Sequence, residues 1–134
     1  MLFRSLSLTV KAFKTNDLVA ARAVEPLEEV IDDIIEIMKG RHVERMTHGD
    51  CDVFNGIQYQ NILQSLERVS DQCSDLAVYM LSRADASING QEHQYLHELH
   101  HSDNESYRRM FRENYIKYFR ELHLAAEEEA KGEQ

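Results

Sequence analysis

Only helices satisfy the repeat of apolar residues that dominates this chain. Val24, Leu27, Ile31, Ile34 and Met38 follow one another at alternating spacings of three and four, which sets them on one helical face as a coiled-coil-like seam. Tyr59, Ile62, Leu66, Val69, Cys73, Leu76 and Met80 repeat in the same way and predict a broad apolar face on a second long helix, from about Val53 to Arg83. Between the two lies His48-Gly49-Asp50-Cys51-Asp52. Gly49 suits a left-handed helix end and Asp52 suits the cap of the next helix. Two long helices joined by so short a turn must run antiparallel. One proline and five glycines in 134 residues leave little material for a turn-rich β fold, whereas abundant Leu, Ala, Glu, Met and Arg favour helices.

Leu2, Leu6, Val10 and Phe13 predict a first helix over about Leu2 to Lys14, and Asn16 is the expected cap of the next helix, with Asp17 in its first turn. Pro26 falls well inside the following pattern, so a kink near Arg22 or Ala23 is expected. Val30 and Ile37 lie roughly opposite the seam and need a third helix, a second chain or partial exposure. After a loop at Ala86-Ser87-Ile88-Asn89-Gly90 come a short helix from about Glu92 to His100 and a final helix capped by Ser102 or Asp103. The final helix carries Tyr107, Met110, Phe111, Tyr115, Tyr118 and Phe119. The expected fold is all-α: an up-down three-helix bundle over 1–84, a C-terminal helical extension over 85–124, and a frayed acidic tail over 125–134.

A formal charge of −9 argues against a general binder of nucleic acid backbones and favours a cation or a basic partner surface. No stretch approaches the ~20 apolar residues of a membrane span. Cys51 at the turn and Cys73 deep in a helix are too far apart for an intrachain disulfide, so both are expected reduced. At about 13 residues, the first helix is much shorter than its neighbours. Either the final helix folds back over the remainder or chains pair, and a homodimer is the expectation.

Glu67, Asp71 and Asp75 recur every fourth residue and form one acidic stripe. Leu63, Leu66, Ser70, Cys73 and Ala77 lie on the neighbouring face, where the small Ser70, Cys73 and Ala77 leave room for another helix to approach closely. Glu28 and Asp32 form a second acidic stripe. With the hairpin midpoint between Gly49 and Asp50, Glu28 falls level with Asp71 and Asp32 with Glu67. A carboxylate pair one turn apart is by itself an ordinary solvated face. Four facing one another across a helix pair suit a multiply charged cation with oxygen ligands.

These residues also carry a family resemblance. Glu67-Arg68-Val69-Ser70-Asp71 resembles the Glu-x-x-x-Asp signature of PhoU domains, with Glu28 to Asp32 as its partner motif on the preceding helix. The run Val24-Glu25-Pro26-Leu27-Glu28-Glu29-Val30-Ile31-Asp32, with Arg41-His42-Val43-Glu44-Arg45 and Asp71-Gln72-Cys73-Ser74-Asp75-Leu76-Ala77, is similar to the PhoU-like C-terminal domain of bacterial sodium/phosphate cotransporter proteins. The resemblance spans roughly Leu6 to Ala84. It implies a regulatory domain rather than an enzyme, and a chain that is a fragment of a longer transporter. That domain would lie at the cytoplasmic side of the inner (plasma) membrane, beside the membrane domain of the same transporter. It also implies metal binding (iron, manganese or zinc) through Glu28, Asp32, Glu67, Asp71 and Asp75. Two departures bear on this. Asp75 stands where many relatives carry Asn, and Gln72 stands where His is common.

Two other classes compete. The acidic stripes fit equally a metal-free helical dimerisation module. His97-Glu98-Leu99-His100-His101 matches the His-Glu-x-x-His pattern of zinc hydrolases, but Ser102-Asp103 ends the helix at once and no third ligand is evident. The stripe His93, His97, His101 is then a polar helix face with some capacity for metal. No glycine-rich phosphate loop, nucleophile motif or dinucleotide fingerprint is present.

Overall fold

Six helices account for most of the chain: α1 (Leu2–Thr15), α2 (Leu18–Arg22), α3 (Glu25–Thr47), α4 (Val53–Ala84), α5 (Glu92–His101) and α6 (Glu105–Glu121). They are seen in a computed structural model that describes residues 1–101 and 103–122. No strand occurs among the described residues. The acidic tail, the end of the extension and the candidate cap Ser102 lie outside them. The fold is all-α, as the apolar periodicity demands. α1, the arm made by α2 and α3, and α4 run up, down and up, and α6 lies along α3.

The seam on α3 is the centre of the core. Val24, Leu27, Ile31 and Ile34 are each no more than 1% exposed. Val30, on the far side of that seam, is also fully buried, because α6 covers it. Tyr118 and Phe119 of α6 share one cluster with Leu27, Val30, Ile31 and Leu63, and Ile37 packs at its edge. Tyr115 stacks on Phe119 with ring centroids 3.8 Å apart. The final helix therefore supplies the cover that the short α1 cannot.

Four local expectations are corrected. Asn16 is not an N-cap. It takes the left-handed conformation that ends α1 (φ 51°), and Asp17 caps α2, its carboxylate accepting the N–H groups of Val19 and Ala20 at 3.0 Å. Pro26 does not kink a continuous helix. At the place where a kink is expected, the chain passes through a short turn that stays right-handed at Ala23 and Val24, closed by tighter bonds from their N–H groups to the carbonyls of Ala20 and Ala21, and α3 starts afresh with Pro26 in its first turn. The cap of α6 is Asn104 rather than Asp103, with its side chain accepting the N–H of Tyr107 at 3.1 Å.

The fourth correction is the largest. On α4 the buried row is Gly56, Leu63, Ser70, Cys73, Ala77 and Leu81, while Ile62, Leu66, Val69 and Leu76 are exposed. On α1 the buried residues are Ser5, Thr9 and Ala12, not Leu6, Val10 and Phe13. Small side chains let the two backbones approach closely: Thr9 Oγ1 donates to the carbonyl of Ser5 at 3.0 Å and reaches the carbonyl of Cys73 across the interface at 3.5 Å. Close packing of small residues has taken precedence over burial of the larger apolar row.

Near the turn, a clasp holds α3 to α4. His42 is 1% exposed. Arg45 can only donate, so its guanidinium places a hydrogen bond on Nδ1 of His42 at 3.2 Å, and the imidazole Nε2–H donates to the carbonyl of Gly56 at 3.1 Å. Tyr59 packs against the ring at a tilt of 38°, with centroids 4.6 Å apart. A Cβ at position 56 would meet that Nε2 at 3.2 Å and Met46 Sδ at 3.0 Å, which is why glycine stands inside a helix here. His42→Ala removes the clasp and leaves a cavity. It is expected to lower unfolding free energy by about 2–4 kcal/mol, read from urea denaturation. A loss below ~1 kcal/mol would show that the clasp contributes little.

Candidate metal centre

Burial of carboxylates in a helix interface is costly unless something compensates their charge. Glu25, Glu28 and Asp32 lie on successive turns of α3 toward α4, and Glu29 faces α6. Most of the acidic groups in this region have donors. Glu25 accepts hydrogen bonds from the Ser74 hydroxyl and from His100 Nε2, the latter at 2.7 Å. Glu29 accepts from the Tyr107 hydroxyl. Glu67 accepts from Lys39 Nζ at 2.7 Å. Asp75 accepts from Gln72 Nε2 at 3.3 Å.

Glu28, Asp32 and Asp71 remain. Each offers an oxygen, and these oxygens all lie within 4.8 Å of one another. Glu28 is 9% exposed, Asp32 is half-buried, and Asp71 opens to solvent. Asp32 Oδ1 is buried and has no hydrogen-bond partner. The level pairing of Glu28 with Asp71 is thus present. Glu67 is level with Asp32 but reaches away to Lys39, and Asp75 lies a turn further along α4 with Gln72. Three of the five candidate ligands converge and two do not.

The electrostatics follow from this crowding. Burial, then the charges of Glu25, Asp32 and Asp71, push the Glu28 carboxyl up to about 9. Burial, then Asp71 and Glu67, push Asp32 to about 6. Asp71 is also raised, first by burial and then by Glu67 and Asp75. A proton on Glu28 can bridge to Asp32, and a cation can replace that proton while also meeting the unpartnered Asp32 oxygen. The donor set is oxygen alone, which suits a hard cation better than zinc, whose protein sites favour nitrogen and sulfur.

The histidine segment is arranged differently. His97 and His101 stack with ring centroids 4.4 Å apart, and Nδ1 of His101 donates to the His97 carbonyl at 2.8 Å. Glu98 accepts from Gln94 at 2.8 Å. His100, the histidine that the metalloprotease pattern leaves out, reaches Glu25 and stacks on Tyr107 at 5.8 Å. Among the described residues, Glu28, Asp32 and Asp71 are the group of three whose ligand atoms converge. Lys39, Ser74, His100 and Tyr107 are site-shaping residues that the sequence reading did not single out. Only Ser74 had an available signal, since it stands level with Glu25 by the same count that pairs Glu28 with Asp71.

The family model described as the PhoU domain matches residues 1–80, which take in α1 to α3 and α4 as far as Met80. Neither the curated proteins nor the solved structures give a match.

The raised carboxyls have a consequence for stability. The folded Glu28 value of about 9 lies above its ordinary 4.5, so between those limits the folded chain holds a proton that the unfolded chain has released. The metal-free protein is therefore expected to be most stable at the acid end of this window and to lose stability as pH rises to 9, by at most about 1.4 kcal/mol per pH unit from this group. Asp32 acts in the same direction. Urea denaturation in chelator at a series of pH values measures the slope, and Glu28→Gln should flatten it. A parent that gains stability across the window would contradict the assignment.

Proposed function

The chain belongs to the PhoU domain family, and on that premise we propose that it is the regulatory domain of a sodium-dependent phosphate transporter. Domains of this family regulate phosphate homeostasis. In this reading the domain lies at the cytoplasmic side of the membrane and adjusts phosphate uptake through contact with the membrane domain. No helix among the described residues is long and apolar enough to cross a membrane, so the membrane-spanning part would be contributed from elsewhere.

The observation that carries the mechanism is the convergence of Glu28, Asp32 and Asp71 around a buried oxygen with no partner. These three residues would hold a hard cation, with manganese and iron fitting the all-oxygen set better than zinc. The bound cation supplies positive charge between the two long helices. Glu28 and Asp32 act from α3 and Asp71 from α4, so the set ties one helix to the other when it is neutralised and drives them apart when it is ionised. Lys39 holds Glu67 clear of the centre. Glu25, three residues before Glu28, is joined to α5 through His100, and the neighbouring Glu29 is joined to α6 through Tyr107. Spacing at the carboxylates is thereby coupled to the seating of the C-terminal helices, which alters the surface offered to a partner.

Elemental analysis beside thermal melting tests the site. The parent should bind manganese or iron, and cation at a hundred times its dissociation constant should stabilise the fold by about 2.7 kcal/mol. Asp32→Asn with Asp71→Asn should bind none, and should melt higher than the metal-free parent above pH 7 because two repelling charges are gone. Metal retained by that variant would place the ligands elsewhere. Unchanged phosphate uptake and regulation in the full transporter carrying the same substitutions would remove the regulatory role.

A further inference from the structure

α6 lies outside the residues matched by the family model, and its charge runs against the rest of the chain. Its 17 residues hold five of the 15 Lys and Arg: Arg108, Arg109, Arg112, Lys117 and Arg120. Glu105, Glu113 and Glu121 accompany them, so the helix is net positive in a chain of formal charge −9. One side of α6 is committed to the core through Tyr107, Tyr118 and Phe119. Arg109, Arg112, Ile116 and Arg120 follow at steps of three, four and four, which sets them together on the outward side. All four are exposed, Ile116 by 44%. Glu113 is the one acidic residue inside that stripe. Arg108 meets Asp103 at 2.8 Å and Lys117 lies over the Tyr118 ring at 5.0 Å. Among the described residues, no carboxylate is paired with Arg109, Arg112 or Arg120.

Arginine at three positions of the stripe selects oxyanions that accept two parallel hydrogen bonds, phosphate above all. The apolar side of α6 is buried against α3, so the helix cannot sink into a bilayer as a free amphipathic helix does. It offers instead a convex row of guanidinium groups about 16 Å long, with Ile116 among them, which suits contact with a plane of headgroups. Five Lys and Arg on one helix also reach the number that holds a segment at an anionic leaflet. The acidic centre does not oppose this contact. Val30 packs with α6, and Glu28 and Asp32, two residues to either side of it, point about 160° away around α3. A helix diameter of about 10 Å separates the two sides, more than the Debye length of about 8 Å at physiological salt.

We infer that the outer face of α6 binds an anionic lipid surface, with Arg109, Arg112 and Arg120 on the headgroups and the carboxylate centre turned away from them. This surface rests on the reading of the domain as one that works beside a membrane, and it adds the face and the lipid charge that hold it there.

Co-sedimentation of the full chain with vesicles tests it. The parent should pellet with vesicles of phosphatidylcholine and phosphatidylserine and stay in solution with phosphatidylcholine alone. Raising salt from about 0.1 M to about 1 M, which shortens the Debye length from about 10 Å to about 3 Å, should release it. Arg109→Gln with Arg112→Gln and Arg120→Gln alters exposed positions, so far-UV helicity should be retained while partition falls about a hundredfold. Should that variant lose helicity, Arg109→Gln with Arg120→Gln replaces it, with a loss of about thirtyfold. Arg4→Gln with Lys14→Gln and Arg68→Gln removes as much charge from α1 and α4 and should leave partition unchanged. A parent that ignores anionic vesicles overturns the inference, as do equal binding to neutral vesicles and an equal loss from the α1 and α4 set. Binding to poly-glutamate with none to vesicles would assign the face to an acidic protein and overturn it too. None of these failures touches regulation by the carboxylate centre, which is read in phosphate uptake.

Discussion

Carboxylates placed where α3 meets α4 are the constraint that the rest of this bundle accommodates. Charge of one sign in a helix interface must be paired, protonated or neutralised by something that binds. The fold uses pairing at nearly every position. Ser74 and His100 serve Glu25, Tyr107 serves Glu29, and Lys39 serves Glu67. Three of these four donors come from elements other than α3, so the acidic stripe also ties the bundle together. Among the described residues, Glu28, Asp32 and Asp71 are the three whose oxygens converge, and Asp32 Oδ1 is buried there without a partner. An arrangement that satisfies the neighbours and leaves three oxygens converging is selective, and it is more informative than the number of acidic residues.

That selectivity depends on how the chain enters α3. With Pro26 in the first turn and the break at Ala23 and Val24, Glu25 and Glu28 fall in the opening turns of a helix, where the positive end of the helix dipole lowers the cost of burying them. Had α2 and α3 been continuous, the same residues would lie in mid-helix without that help. The break also lets α2 turn aside, so that Ala20 and Ala21 fill the core beside Ala12 and Ala77.

Much of this was legible from residue spacing. The seam from Val24 to Ile34 repeats at three and four, which sets it on one helical face, and Val30 opposite it announced the further cover that α6 supplies. The count about the Gly49 turn levels Glu28 with Asp71 because both helices are regular and the turn is short. What could not be read depends on side-chain direction and on competition between faces. Glu67 and Asp71 are equivalent in sequence, yet one turns to a lysine and the other to Asp32. On α1 and α4, two faces were each plausible as core, and hydrophobicity favoured the row that ends outside. The small residues Ser70, Cys73 and Ala77 did mark a face of α4 open to close approach, and that face is the one that packs; its partners Ser5 and Thr9 on α1 carried no such signal. His42 is polar and Gly56 is a poor helix former, so the clasp between them runs against both propensity and pattern.

The position of that clasp determines how the helix pair can move. Asp32 lies ten residues before His42, about 15 Å along a rigid rod. A buried imidazole fitted over a glycine does not tolerate sliding by a turn, so the two rods are pinned near the turn, and a change of spacing at Asp32 requires rotation about His42. Rotation of that kind displaces Glu25, a further two turns out, more than Asp32, and there the Ser74 hydroxyl of α4 and His100 of α5 resist it together.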